Sequence, residues 1–136
     1  MRLLVDTNVF LDFFLKRDTF GPEARNFFSW CAFNKNRIYV TSMSLRDIGY
    51  LAQKYFHDAK QARKIQVDTY CLCSKIVGVS ADAAIESLYS DMSDYEDSLI
   101  AVTAKLELLD AIVTNNKKDF LDCGVPVFTP SEIVRL

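Results

Sequence analysis

The sequence lacks the residues on which several classes of protein depend. His57 is the only histidine, and none of the four cysteines forms a CxxC pair, so neither a zinc site nor a disulfide framework is expected. No apolar run approaches the roughly 20 residues of a membrane-spanning helix. Asp6 also interrupts the first apolar run before a signal sequence can form. These absences predict a cytoplasmic protein with free thiols and no membrane segment.

Positive charge is in short supply as well. The chain has sixteen Lys and Arg residues and eighteen Asp and Glu residues, which gives a net charge of −2. Bulk electrostatic attraction to nucleic acid is therefore not expected, and any such binding must rely on local basic residues and on metal. The chain of 136 residues is half apolar and one quarter charged. That composition predicts one compact domain, residues 1–136, with a core of its own.

Short apolar runs alternate with helical patterns along the whole chain. Strands are predicted at residues 3–5, 37–41, 76–79, 111–114 and 125–128. Helices are predicted between them, including a projecting pair that begins at Ser44 and continues from about Asp58 to Ser74. Strands separated by helices require crossover connections, so we expect an α/β fold with a central, mostly parallel sheet and helices on both faces.

Four helix starts carry capping signals. Asn8 is expected to cap the first helix, and Ser80 the helix that follows the third strand. Ser93 and Glu96 match a capping box, and Ser44 to Asp47 matches another.

Acidic residues follow the predicted strands. Asp6 comes directly after the first strand, Asp47 follows the second, and Asp119 lies in the turn after the fourth. Asp94 and Asp97 begin the helix that leads into the fourth strand. Because the carboxyl ends of parallel strands meet at one edge of a sheet, these positions can converge there and offer oxygen ligands to a hard cation.

Each acidic residue also has a purely structural interpretation, because carboxylates commonly cap helices and complement the helix dipole. That interpretation suits Asp94 and Glu96 better than a ligand role, and it is as good as the functional one for Asp47. Asp97 should face inward beside Ala101, where a carboxylate needs a partner. We therefore expect Asp6 and Asp97 to be the main metal ligands.

Three segments, taken together, resemble the PIN domain. They are 4–8 (LVDTN), 94–97 (DYED) and 113–120 (VTNNKKDF), which match in content, order and spacing. The subgroup they resemble is the VapC-type toxin nucleases of prokaryotic toxin–antitoxin pairs. The resemblance covers nearly the whole chain and implies a three-layer α/β/α fold and a ribonuclease that depends on Mg²⁺ or Mn²⁺.

The resemblance also assigns roles position by position. The acidic residues of the site correspond to Asp6, Asp47, Asp97 and Asp119, with Thr114, Asn116 and Asp94 in support. The second of these positions is usually glutamate, and the shorter Asp47 is expected to reach the metal through water. A small antitoxin and a homodimer are implied as partners, with RNA as the substrate.

Other protein classes fit less well. A signalling receiver needs an aspartate after its third strand, where Ser80 stands, and a haloacid-dehalogenase-like phosphatase needs one where Asn8 stands. The alternative that stays open is a PIN-like module that binds RNA or a protein partner without cleaving it, because Asp47 replaces the usual glutamate.

Overall fold

The computed structural model describes all of residues 1–136 and contains five strands and seven α-helices. The strands are β1 (Arg2–Val5), β2 (Arg37–Thr41), β3 (Lys75–Val77), β4 (Ala111–Val113) and β5 (Val127–Phe128). The helices are α1 (Thr7–Phe14), α2 (Phe20–Phe33), α3 (Ser42–Phe56), α4 (Ala59–Leu72), α5 (Ala81–Leu88), α6 (Tyr95–Leu106) and α7 (Pro130–Ile133). A short 3-10 helix spans Lys117–Phe120.

The strands form one sheet in the order β3-β2-β1-β4-β5, and every neighbouring pair is parallel. The sheet is therefore wholly parallel, which confirms the predicted crossover topology. β1 lies at the centre, where Leu4 is opposite Tyr39 of β2 and Ile112 of β4. Residues that leave the carboxyl end of β1 consequently stand between the loops that leave β2 and β4.

Both faces of the sheet are buried, as the continuous apolar strands predict. Side chains alternate between the two faces: Leu3 and Val5 join one core cluster, whereas Leu4 joins the other. Residues from α1 to α4 and from α7 pack in the first cluster, and α6 and the 3-10 helix supply the second. The three-layer α/β/α arrangement is thus confirmed.

Helices α3 and α4 form the predicted helical pair. They approach closely at Gly49, where an added Cβ would stand 2.2 Å from Nε2 of Gln66. That amide nitrogen donates a hydrogen bond of 3.0 Å to the carbonyl oxygen of Leu45. The absence of a side chain at Gly49 therefore leaves room for a contact that joins the two helices.

The predicted caps of three helices are wrong by one or more residues. α1 is capped by Asp6 instead of Asn8, and α3 is capped by Thr41, whose hydroxyl accepts from the amide of Ser44 at 2.9 Å. α6 is capped by Asp94 instead of Ser93. In each case the capping residue has the extended backbone that a cap requires and directly precedes the first helical residue. The capping boxes expected at Ser93 and Ser44 therefore do not form.

All four cysteines are free, as predicted. Cys31 and Cys123 are buried, and burial raises the pKa of the Cys31 thiol to about 12. None of the helices combines the length and the apolar character that crossing a bilayer would require.

Candidate active site

A cleft of about 490 Å³ opens at the carboxyl edge of the sheet. Three of the predicted acidic residues line it: Asp6 after β1, Asp47 in the second turn of α3, and Asp97 in the first turn of α6. Each comes from a different part of the chain, and the parallel strand order brings them to the same edge. The structure therefore brings Asp6, Asp47 and Asp97 together in one cleft.

Asp6 is the most firmly held of the three. Its side chain is 8% exposed, and its Oδ1 accepts from the amide of Thr7 at 2.8 Å. Its Oδ2 accepts from the hydroxyl of Thr114 at 2.8 Å and from the side-chain Nδ2 of Asn8 at 3.2 Å. Burial raises the pKa of Asp6, although the hydrogen bonds from Thr114 and Thr7 oppose that rise. The carboxylate is thus buried and oriented, and its charged form is stabilised by the hydrogen bonds that it accepts.

Asp97 stands in a different environment. It is half-buried on the inner side of α6, as expected, and no other residue donates a hydrogen bond to its carboxylate. Burial raises its pKa to about 7, with further contributions from the negative charges of Asp94, Asp6 and Asp119. A carboxylate in this position is stabilised in its charged form by a nearby cation.

Asp47 faces the cleft but has a partner of its own. Nη1 of Arg46 lies 3.1 Å from Oδ1 of Asp47 in an exposed ion pair. Pairs of this kind on the surface contribute little to stability. The contact nevertheless balances part of the charge that Asp47 brings to the cleft.

Asp119 and Asp94 do not line the cleft. Asp119 is exposed in the 3-10 helix, yet its negative charge contributes to the raised pKa values of Asp6 and Asp97. Asp94 is exposed, and its Oδ1 accepts from the amide of Asp97 at 3.1 Å. Asp119 therefore acts on the site at longer range, whereas Asp94 fits the helix-capping interpretation and orients the start of α6.

Thr114 and Asn116, the polar residues predicted to support the site, both lie near Asp6 in the turn after β4. Thr114 is fully buried and donates to Asp6, as described above. Asn116 lines the cleft, and its amide donates to Oγ1 of Thr114 at 3.0 Å. The turn after β4 thus continues the hydrogen-bond network that begins at Asp6.

Sequence reasoning missed a part of this network that lies on α1. Asn8 was predicted to be a helix cap, but its side chain binds both Asp6 and the amide of Asn115, the latter at 3.2 Å. Asp12, one helical turn later, is 3% exposed and accepts from Nδ2 of Asn115 at 2.6 Å. The available signal was the spacing of Asn8 and Asp12, which puts two polar side chains on one face of a buried helix.

The carboxylate oxygens of this cleft suit a hard divalent cation. Carboxylate oxygens are the ligands that Mg²⁺ prefers in proteins. A cation would offset both the burial and the neighbouring negative charges that raise the pKa of Asp97. No three carboxylates converge tightly enough to enclose an ion by themselves. Since Mg²⁺ usually keeps several waters and one or two protein carboxylates, Asp6 and Asp97 fit a hydrated ion.

Three solved structures illustrate what the chain resembles. The Rickettsia felis VapBC2 complex, bound to a promoter DNA fragment, has a chain that is 22% identical, with 95% of this chain and 98% of that one covered and a TM-score of 0.70. A Klebsiella pneumoniae toxin–antitoxin complex has a chain that is 26% identical, with 94% of this chain and 97% of that one covered and a TM-score of 0.63. Mycobacterium tuberculosis VapC20, a sarcin-ricin loop cleaving toxin, gives 13% identity, 81% and 86% coverage and a TM-score of 0.64.

A comparison with curated proteins by sequence gave no match. The model of the PIN domain family matches residues 2–118 of this chain. PIN nucleases generally use divalent metal ions, and the family consists largely of ribonucleases. The match runs from β1 into the start of the 3-10 helix and includes Asp6, Asp47 and Asp97, while Asp119 lies one residue beyond it. The chain therefore belongs to the PIN domain family.

Proposed function

We propose that this protein is a metal-dependent endoribonuclease that hydrolyses RNA phosphodiester bonds and serves as the toxin of a type II toxin–antitoxin pair. The observation that carries the proposal is the meeting of Asp6, Asp47 and Asp97 in one cleft at the carboxyl edge of the sheet. Membership of the PIN family supports nuclease chemistry, and VapC20, a relative of the same fold, is described as a toxin that cleaves the sarcin-ricin loop.

In this proposal Asp6 and Asp97 would hold a Mg²⁺ or Mn²⁺ ion. Asp47 and Asp119 would act on the ion through water, because Asp47 is short and paired with Arg46 and Asp119 lies outside the cleft lining. A bound ion of this kind lowers the pKa of a coordinated water and offsets charge on the leaving oxygen. No side-chain nucleophile is then required.

The surrounding residues orient Asp6 for that ion and add a polar side chain to the cleft. Thr114 and Asn8 fix the orientation of Asp6 through hydrogen bonds to one of its oxygens. Asn116 offers an exposed side chain at the cleft, where its amide group can donate to a phosphate oxygen. The acidic cleft repels bare phosphate, so cleavage should depend strictly on added metal.

The decisive experiment is a metal titration coupled to a cleavage assay. The purified protein is mixed with a pool of labelled RNAs, and Mn²⁺ is added after chelation. Wild type should cleave only with metal, and Asp6→Asn should bind metal weakly and leave the RNA intact. Asp91→Asn, an exposed aspartate outside the cleft, is the matched control. Cleavage by Asp6→Asn at the wild-type rate in Mn²⁺ would refute the proposal.

A second candidate is a PIN-like module that binds RNA or a protein partner without cleaving it. The ion pair between Arg46 and Asp47 favours this alternative. Asp47 stands at the position that is usually glutamate, and the ion pair engages its carboxylate. The same titration separates the two. Metal-dependent RNA binding with no product at any metal concentration would support the binding module.

We also propose a small antitoxin, a homodimer and a location in the cytoplasm, with residues 1–136 acting as one domain. The neighbours from Rickettsia felis and Klebsiella pneumoniae were solved as toxin–antitoxin complexes, which supports the first of these. Phe33 is 88% exposed and is a candidate contact for a partner. Co-expression with the protein encoded by the adjacent reading frame, followed by size-exclusion chromatography with light scattering, tests both assemblies.

A further inference from the structure

The cleft has an aromatic wall that the carboxylate chemistry does not use. Tyr50 lines the cleft together with Asp47, and the two residues are three positions apart on α3. Residues at this spacing lie on one face of a helix, about one turn apart. The backbone of Tyr50 therefore lies about 5 Å along the helix axis from that of Asp47, a residue of the proposed site.

Tyr50 is open to a ligand. Its side chain is 60% exposed, and it belongs to neither core cluster. A phenol ring so placed contributes little to the packing of the fold. It does offer a flat apolar surface that a second aromatic ring can cover by stacking.

Cationic side chains lie near this ring. Nζ of Lys54 lies over the ring of Tyr50, 5.6 Å from its centroid. Arg17 and Arg46 also line the cleft. Arg17 is 46% exposed and pairs with Asp12 at 3.4 Å, and Arg46 pairs with Asp47. The cleft thus combines an exposed aromatic ring with nearby cationic groups, although the chain as a whole is acidic.

The cleft also continues beyond the carboxylates. A second groove of about 750 Å³ shares Asn8, Arg17 and Asn116 with it, and Tyr55 lies in its wall. Arg17 therefore stands where the two grooves meet, with Tyr50 on one side and Tyr55 on the other. A path of this kind suits an extended chain with a phosphate at Arg17 and rings to either side.

We infer that Tyr50 is a substrate-binding residue that stacks on an unpaired base of single-stranded RNA, next to the phosphate that is cleaved. Proteins that bind single strands combine such rings with local cations, and they tolerate many sequences because every base has a flat face. A protein of net charge −2 cannot rely on bulk attraction to RNA, so stacking supplies affinity that charge does not. This inference rests on the proposed function and names the substrate class for that site.

The test compares Tyr50→Ala with Tyr50→Phe and Tyr70→Ala. Tyr70 is 59% exposed on α4 and lines neither groove, so it matches Tyr50 in chemistry and exposure. With a labelled single-stranded RNA and Mn²⁺, Tyr50→Ala should raise KM about tenfold and change kcat little, because each stacked base contributes on that order to binding. Tyr50→Phe, which keeps the ring, and Tyr70→Ala should behave as wild type.

A second arm identifies the base. RNAs carrying one abasic nucleotide at successive positions should show one position whose loss weakens wild type about tenfold but leaves Tyr50→Ala unchanged. If Tyr50→Ala and Tyr70→Ala have the same KM, or if duplex RNA is cleaved as well as single strands, the inference is wrong even though the nuclease is active.

Failure of the proposed function gives a different result, since wild type would then cleave nothing. In that case fluorescence anisotropy of the same labelled RNA in Ca²⁺ takes the place of KM. Tenfold weaker binding by Tyr50→Ala than by Tyr70→Ala supports the stacking role without cleavage, and equal binding, or no binding by wild type, overturns it.

Discussion

The two carboxylates that we propose as metal ligands are held in opposite ways. Asp6 is buried at the end of the central strand and receives hydrogen bonds from Thr7, Asn8 and Thr114. Asp97 is half-buried in the first turn of α6 with no side-chain donor, and its pKa is raised to about 7. One ligand is fixed in place before any ion arrives, whereas the other is stabilised as a carboxylate only once positive charge is present. The difference suggests a division between a fixed ligand and a responsive one.

The largest effect that tests this comparison comes from removing the responsive ligand. Asp97→Asn should lower Mn²⁺ affinity and cleavage by more than the roughly 10- to 100-fold that loss of a supporting contact costs, since a direct ligand is removed. Isothermal titration with Mn²⁺ and single-turnover cleavage measure the two quantities. Wild-type Mn²⁺ affinity in Asp97→Asn would show that Asp97 is not a ligand.

The next effect concerns the support of the fixed ligand. Thr114→Val keeps the shape of a fully buried side chain but removes the hydroxyl that donates to Asp6. We expect about a tenfold loss of Mn²⁺ affinity and a decrease of about 2 kcal/mol in the free energy of unfolding at neutral pH. Metal titration and chemical denaturation measure these changes. If both stay at their wild-type values, the donors do not hold Asp6 as we describe.

A smaller effect should appear in the pH dependence of the metal-free protein. Because the pKa of Asp97 is about 7 in the fold and near 3.8 when exposed, its contribution to stability is complete below pH 4. It is lost as the pH rises towards 7. Thermal unfolding in chelator should therefore show a wild-type melting temperature that falls relative to that of Asp97→Asn between pH 4 and 7. Saturating Mn²⁺ should remove this difference in slope, and parallel curves without metal would contradict the raised pKa.

The smallest effect separates stability of α6 from function of the site. Thr103 lies on the same helix as Asp97, is 2% exposed, and has a hydroxyl with no hydrogen-bond partner. Thr103→Val should raise the free energy of unfolding by about 1 kcal/mol, because an unpaired buried hydroxyl is removed. Mn²⁺ affinity and cleavage should not change. The variant is also the chemical control for Thr114→Val, since both replace a buried hydroxyl by a methyl group.

The fold followed from the sequence more completely than the site did. Strand and helix order could be predicted because both sheet faces are buried and short apolar runs alternate with helical ones, as at β1 and α1. The caps at Asp6, Thr41 and Asp94 could not, because several polar residues compete at each helix start and only the backbone decides among them.

The site shows the same limit. Asp6 and Asp97 were recognisable from their positions after a strand and on an inward helix face. The contact of Asn8 with Asn115 joins residues 107 positions apart, and local patterns carry no information about it. Asp47 and Asp119 were both predicted to belong to the site, whereas the structure puts Asp47 in the cleft and Asp119 outside its lining.

The pairing of β1 with β4 has a consequence for how the protein is made. Asp6 emerges from the ribosome 108 residues before Thr114, whose hydroxyl orients it. Contacts of such long sequence separation form late, because the intervening chain must be ordered first. A nascent chain therefore carries an incomplete site until Thr114 has been made. If the protein is a toxin, the ribosome that makes it is exposed to a finished active site only after β4 has been translated and has paired with β1.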